Sequence, residues 1–175
     1  MSWRVRRAGG DLERVYREHV GAVYGFFAYS VPRAVAEDLT SSTFERVIRA
    51  WAAFDSARGS ERTWILTIAR NLLIDHFRRQ SHRDAVSTDE HPVLLDDLVT
   101  GDEPFERALD ADELRGLLRL LGERERQVLA LRYAADLQAG DIAAMLDLTP
   151  ANVHQILSRS LRRLREQALE LKSSA

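Results

Sequence analysis

The sequence predicts an all-α protein: two small helical domains, a three-helix one and a helix-turn-helix one, joined by a flexible acidic linker. Three observations carry that expectation. Apolar residues recur at three- and four-residue spacing through most of the 175-residue chain, and no apolar/polar alternation is sustained anywhere. Between residues 83 and 103, Pro92, Gly101, Ser87 and Thr88 gather among acids, with Val93, Leu94, Leu95 and Leu98 as the main apolar material. Charge divides at the same place. Residues 1–83 hold 14 Arg against 9 acids, residues 84–113 hold 11 acids against Arg107 alone, and residues 114–175 hold 10 bases against 7 acids. The net charge of −2 therefore conceals two basic blocks around an acidic connector.

The first domain, residues 1–82, reads as three helices. Leu12, Val15, Tyr16, Val20, Val23, Tyr24 and Phe27 place one between Asp11 and Ser30. Pro32 interrupts, and a second runs from about Arg33 to Phe54 with Val35, Leu39, Val47, Ile48 and Trp51 inward. Asp55 to Ser60 form a loop broken by Gly59, and Ser60 is the expected N-cap of the third helix, which ends near Ser81. Residues 83–103 read as an extended tether. The second domain, residues 104–175, opens with helices from about Pro104 to Leu121 and from Glu123 to Ala134. From Gln138 to Leu157 a 20-residue unit follows. Ile142, Ala143 and Leu146 pack a short helix, Asp147-Leu148 turns, and Thr149 caps a helix opening at Pro150, with Val153, Ile156 and Leu157 inward. This is helix-turn-helix spacing.

Two faces carry chemistry. The third helix has Ile65, Ile68, Ala69, Leu72 and Leu73 as its apolar stripe. Around the rest sit Arg62, Thr63, Trp64, Arg70, Asn71, Ile74, Phe77, Arg78 and Arg79. Arg supplies forks for phosphate, Asn pairs with base edges and aromatic rings stack on bases. A solvated Arg face with no ligand is the plainer alternative. The second face is the start of the last helix, where Ala151, Asn152, His154, Gln155, Ser158 and Arg159 point outward and Arg162, Arg163 and Arg165 extend the basic surface. A structural helical hairpin would mimic it.

Some functions are disfavoured outright. Zero cysteines exclude a disulfide framework, a thiolate zinc site and a cysteine nucleophile. His19, His76, His82, His91 and His154 are scattered without metal-ligand spacing, so no metal or cofactor is expected. Asp75-His76 is the best enzyme candidate, but Asp75 reads as an ion-pair partner for a nearby Arg, and Asp96-Asp97 sits in the tether, where nothing rigid would hold a catalytic geometry. Trp3-Arg4-Val5-Arg6-Arg7 lacks the apolar run of a signal peptide, and no stretch is apolar enough to span a bilayer. The expectation is a cytoplasmic, membrane-free protein that is not an enzyme.

In its motifs the chain resembles the extracytoplasmic-function (ECF) class of bacterial RNA polymerase sigma factors. Ala36-Glu37-Asp38-Leu39, Thr43-Phe44 and Arg49-Ala50-Trp51 match the family's core-binding helix. Phe54-Asp55, Arg62-Thr63-Trp64, Ile68-Ala69-Arg70-Asn71, Ile74-Asp75 and Arg78-Arg79 match its promoter-melting part. Glu123 to Leu129, Leu131-Arg132-Tyr133, Asp141-Ile142-Ala143, Val153, Leu157, Arg159 and Leu164-Arg165 match its region 4. The resemblance implies core polymerase and promoter DNA as partners, and allows an anti-sigma factor. It implies polymerase docking through Glu37, Asp38, Ser41, Ser42, Glu45 and Arg49. Minus-ten contacts fall to Arg58, Arg62, Trp64, Arg70, Asn71, Arg78 and Arg79. Minus-thirty-five contacts fall to Thr149, Ala151, Asn152, His154, Gln155, Ser158, Arg159, Arg162 and Arg163. The tether would then act as a nucleic-acid mimic inside basic polymerase channels. The chain departs from the family pattern at Ser41-Ser42, where Gln-Glu is common, at Asp147, where Gly is common, and at His154-Gln155-Ile156, where Lys or Arg is common. A stand-alone helix-turn-helix regulator is the competing reading, but it leaves the Arg70-Asn71 face without a role.

Overall fold

The computed structural model describes residues 2–84 and 116–173, and every regular element among the described residues is helical. Helix α1 spans Ser2–Ala28. It ends where the Ser30 and Val31 N–H groups both turn back to the Phe27 carbonyl, at 2.8 and 3.0 Å, just ahead of Pro32, which has no N–H to continue the ladder. Helix α2 spans Arg33–Ala50 and tightens into a 3₁₀ turn over Trp51–Ala53. Its buried Thr40 and Thr43 donate their hydroxyls to the Ala36 and Leu39 carbonyls, both at 2.7 Å, which satisfies them without outside partners. Helix α3 spans Glu61–Asp84, and the Ser60 hydroxyl accepts the Thr63 N–H at 3.1 Å as its N-cap.

These three helices share a core of Val15, Val23, Phe26, Phe27, Phe44, Val47, Ile65, Leu66, Ala69 and Leu73. The structure corrects the sequence reading at particular positions. Ile48, expected inward, is 58% exposed, while Phe26 and Leu66, which the periodicity did not single out, are fully buried. Tyr16 is half exposed, with its ring edge-on to Phe44 at 4.8 Å. Helix α3 continues three residues beyond Ser81. Arg83 and Asp84, expected to open the tether, are thus helical, while its remainder and most of the helix expected from Pro104 lie outside the described residues.

In the second block a helical stretch over 116–119 precedes α4, Glu123–Leu129. The Glu125 carboxylate caps α4 by accepting the Gly122 N–H at 2.7 Å. A regular helix was expected to run on to Ala134. Instead Ala130–Ala134 form a π-helical turn, closed by the Ala135 N–H on the Ala130 carbonyl at 3.0 Å. Helices α5, Ala139–Leu146, and α6, Pro150–Ser173, complete the helix-turn-helix. Between them Asp147 takes φ 53° and ψ 55°, the left-handed conformation that its short polar side chain tolerates. Arg124, Arg126 and Arg132 hold the corners by donating to the Leu146, Leu121 and Leu137 carbonyls at 2.9–3.1 Å. The two blocks also touch: α1 packs on the π-helical turn, and Arg62 of α3 reaches the Ala135 carbonyl.

Candidate nucleic-acid interface

On α6, Thr149 caps the helix by accepting the Asn152 N–H at 3.2 Å, while Val153, Leu157, Ser160 and Leu164 are buried. That anchoring turns the other side of the helix to solvent. Ala151, Asn152, His154, Gln155, Ser158, Arg159, Arg162 and Arg163 are all exposed, as is Thr149 at the cap. Asn152, Gln155 and Arg159 follow one another at about one-turn intervals along a single face. Arg163 lies 3.9 Å from the Glu125 carboxylate and Arg162 the same distance from Glu166, beyond hydrogen-bond length, so both guanidinium groups stay largely exposed at the flank. Exposed cations beside exposed amide side chains suit a helix entering a major groove.

The residues expected to meet the minus-ten element are distributed differently from the sequence reading, which put all but Arg58 around one cylinder. Asn71 and Arg78 are exposed, and Trp64 and Arg70 are half-buried. Nine residues, about two and a half helical turns, put Arg62 on the side of α3 opposite Asn71. There it faces the second block, donating to the Ala135 carbonyl at 3.0 Å and lying 3.8 Å from the Asp136 carboxylate. Arg79 lines a groove with α2 instead. Trp64 is not a free stacking platform. It packs with Trp51 and Phe54 at ring-centroid distances of 6.1 and 5.2 Å, and Trp51 stacks on Phe54 at 5.4 Å. This aromatic cluster anchors the loop after Phe54. The Asp55 carboxylate accepts the Ala57 N–H, the Asp55 carbonyl accepts the Arg58 N–H, and Arg58 is left exposed at the tip.

On α2, Glu37, Asp38, Ser41, Ser42, Glu45 and Arg49 lie along one outer side, with Glu37 paired to Arg33 and Glu45 to Arg49. Ser42, Glu45 and Arg49 border a groove of about 240 Å³ completed by Leu39, Arg46, Leu72, His76 and Arg79. Ile48, misread from sequence as core, belongs to this surface. Helical spacing sets it in line with Ser41 and Glu45, an exposed apolar side chain on a polar stripe. Asp75 lies 3.9 Å from Arg46, the ion-pair role expected of it.

Beside α3's first turn lies a partly exposed ionic cluster around the buried His19. Arg14 donates to Glu18 at 2.6 Å and to both oxygens of Glu61, at 2.8 and 3.2 Å. His19 is buried with neither ring nitrogen hydrogen-bonded, its Nε2 3.6 Å from Glu61. Burial first, and the Arg62 charge second, hold its pKa below the ordinary value, while Glu61 pulls weakly the other way. The hydrogen bond from Arg14 chiefly holds Glu61 below its ordinary range. Glu18, His19 and Glu61 could converge on a cation, but the Arg14 guanidinium already occupies that position.

Comparison with known proteins agrees with this layout. Residues 15–83 match the family model described as Sigma-70 region 2, and residues 117–166 match Sigma-70, region 4. The chain is 31% identical to the ECF RNA polymerase sigma factor SigC of Mycobacterium tuberculosis, covering 87% of this chain and 80% of that protein. It is 30% identical to the ECF RNA polymerase sigma factor BldN of Streptomyces coelicolor, covering 86% of this chain but only 58% of the relative. Among solved structures it superposes on the sigma factor RpoE, in complex with the anti-sigma factor NepR, from Bartonella quintana. The TM-score is 0.75 at 20% identity, over 89% of this chain and 95% of that one.

Proposed function

The chain belongs to the extracytoplasmic-function (ECF) RNA polymerase sigma factors, and we propose how its surfaces divide the work of initiation. The outer stripe of α2, with Ile48 at its centre, docks on core polymerase. The loop carrying Arg58 and the outward face of α3 at Asn71 and Arg78 engage the opened minus-ten strand. Asn152 and Gln155 of α6 read minus-thirty-five bases while Arg159, Arg162 and Arg163 hold phosphates. The corresponding units are residues 1–82 and 104–175, with 83–103 as connector.

One observation carries this reading: the chain presents two exposed faces of Arg and Asn or Gln side chains on separately anchored helices. A stand-alone regulator uses only the α6 face. Relatives of the chain are transcription initiation factors, not enzymes, and the Asp75–Arg46 pairing accounts for the residue an enzyme reading relied on. Because RpoE was solved in complex with the anti-sigma factor NepR, an anti-sigma factor is a further partner we propose for this chain. In vitro transcription from a promoter library with and without core polymerase tests the assignment. Specific starts that need both components support it, and promoter-specific duplex binding by the chain alone supports the regulator.

A further inference from the structure

Between α2 and the C-terminal half of α3 lies a groove whose charge the docking reading leaves unused. Arg46 and Arg49 line it from α2, one turn apart, with the Ser42 hydroxyl a further turn back; His76 and Arg79 line it from α3, also one turn apart. Three guanidinium groups thus share the groove with one carboxylate, that of Glu45. Neutralisation is poor. Glu45 meets Arg49 at 3.4 Å on the open surface, Asp75 stays 3.9 Å from Arg46, beyond hydrogen-bond length, and Arg79 has no carboxylate partner among the described residues. Guanidinium forks take phosphate oxygens two at a time, and a serine hydroxyl adds a further donor. The volume of about 240 Å³ is below the roughly 300–1,000 Å³ of sites that enclose drug-sized ligands, so a compact anion fits and a whole nucleotide does not. One phosphate saturates one or two forks. Arginines on two helices, whose axes pack about 8–10 Å apart, are bridged better by an anion with two phosphoryl groups.

We propose that this groove binds a diphosphate group, and that its occupation competes with docking on core polymerase. Ser42, Glu45 and Arg49 belong both to the groove and to the docking stripe, so an anion seated between the helices covers part of the surface that polymerase meets and cancels its positive charge. Diphosphate chemistry is close at hand there, because RNA synthesis consumes nucleoside triphosphates and releases pyrophosphate. The competition rests on the docking reading of α2 and adds its regulation.

Inorganic pyrophosphate titrated into the full, isotope-labelled chain at constant ionic strength tests the site. The amide resonances of Ser42, Arg46, Arg49, His76 and Arg79 should shift to a common saturation point. Arg46→Gln with Arg79→Gln should weaken binding about tenfold or more while keeping the parent's circular dichroism spectrum. Shifts spread equally over the arginines of α6, a curve that never saturates, or sulfate binding as tightly as pyrophosphate would each mean an adventitious ion only, and overturn the site. Guanosine diphosphate separates the sources. Tighter binding than pyrophosphate assigns the diphosphate end of a nucleotide, and equal or weaker binding assigns the free anion. The regulation is read by titrating core polymerase. Pyrophosphate at ten times its Kd should weaken the parent's affinity for core about tenfold. The Arg46→Gln, Arg79→Gln chain should be insensitive, which controls for any action of the anion on polymerase itself. No change in the parent overturns the competition. Asp38→Arg with Arg49→Glu then shows whether the docking reading fails with it: lost affinity for core keeps α2 as the docking face and rejects the competition alone, whereas intact affinity rejects both.

Discussion

At the scale of single residues, the buried His19 gives the fold a pH dependence whose sign follows from its surroundings. In the unfolded chain it titrates near 6.5, and in the folded chain burial and Arg62 hold it lower. Between the two values the unfolded state binds more protons, so stability is lost as pH falls below about 6.5. Glu61 adds a loss in the same direction, but only as pH falls further, through its own lowered value. The midpoint of thermal unfolding should therefore drop between about pH 7.5 and pH 5.5, and His19→Gln should flatten that slope whatever it does to the absolute stability. A parallel slope in the variant would remove His19 as the cause. On the DNA side, Asn71 is the cleaner minus-ten probe than Trp64, whose loss would dismantle the Trp51–Phe54–Trp64 cluster. Open-complex formation should fall when Asn71→Ala and Arg70→Ala are combined, while the circular dichroism spectrum stays that of the parent. Gln155→Ala should cost roughly 1–3 kcal/mol at one base position and relax preference there, in a promoter-variant footprint. Unchanged preference at every position would end its base-reading role.

At the scale of elements, sequence legibility followed how local the determining physics is. The Ser60 and Thr149 caps, the left-handed Asp147 turn and the outward face of α6 were all readable, because each depends on residues within one helical turn. Ile48 was misread because β-branched apolar residues at helical spacing look alike whether they meet a core or a partner. Val47 took the inward position and Ile48 was left outside. The π-helical turn was illegible for a different reason. The extra residue in its hydrogen-bonded ring is stabilised by packing against α1, across more than a hundred residues of chain. Arg62 was misplaced by the same long-range contact. The α2 stripe supplies the matching prediction. Asp38→Arg with Arg49→Glu should weaken binding to core polymerase in a fluorescence titration without altering the melting temperature by more than surface changes usually do. Ile48→Asp should weaken it further, since a carboxylate would replace the apolar centre of the docking surface. If all three changes leave the affinity intact, polymerase docks on another face.

For the whole molecule, what matters is the partition of charge. Two blocks of net positive charge are joined by residues 84–113, which carry 11 acids and a single Arg. Intramolecular attraction favours a compact free chain, in keeping with the seam between α1 and the π-helical turn, and an acidic connector is repelled by promoter DNA. Such a segment suits a basic channel that otherwise holds nucleic acid. The expectation for Asp84 to Glu103 is thus a role inside the holoenzyme, as an electrostatic stand-in displaced by growing RNA. All of the segment but Asp84 lies outside the described residues. Replacing Asp89, Glu90, Asp96, Asp97, Asp102 and Glu103 by Asn or Gln preserves length and removes six charges. Holoenzyme affinity should fall, with a shallower salt dependence, and the ratio of abortive to full-length RNA should shift as the obstacle to early transcript growth is weakened. A passive tether predicts neither change, because only its length would matter. Normal affinity together with a normal abortive ratio would leave separation of the two blocks as the connector's whole contribution.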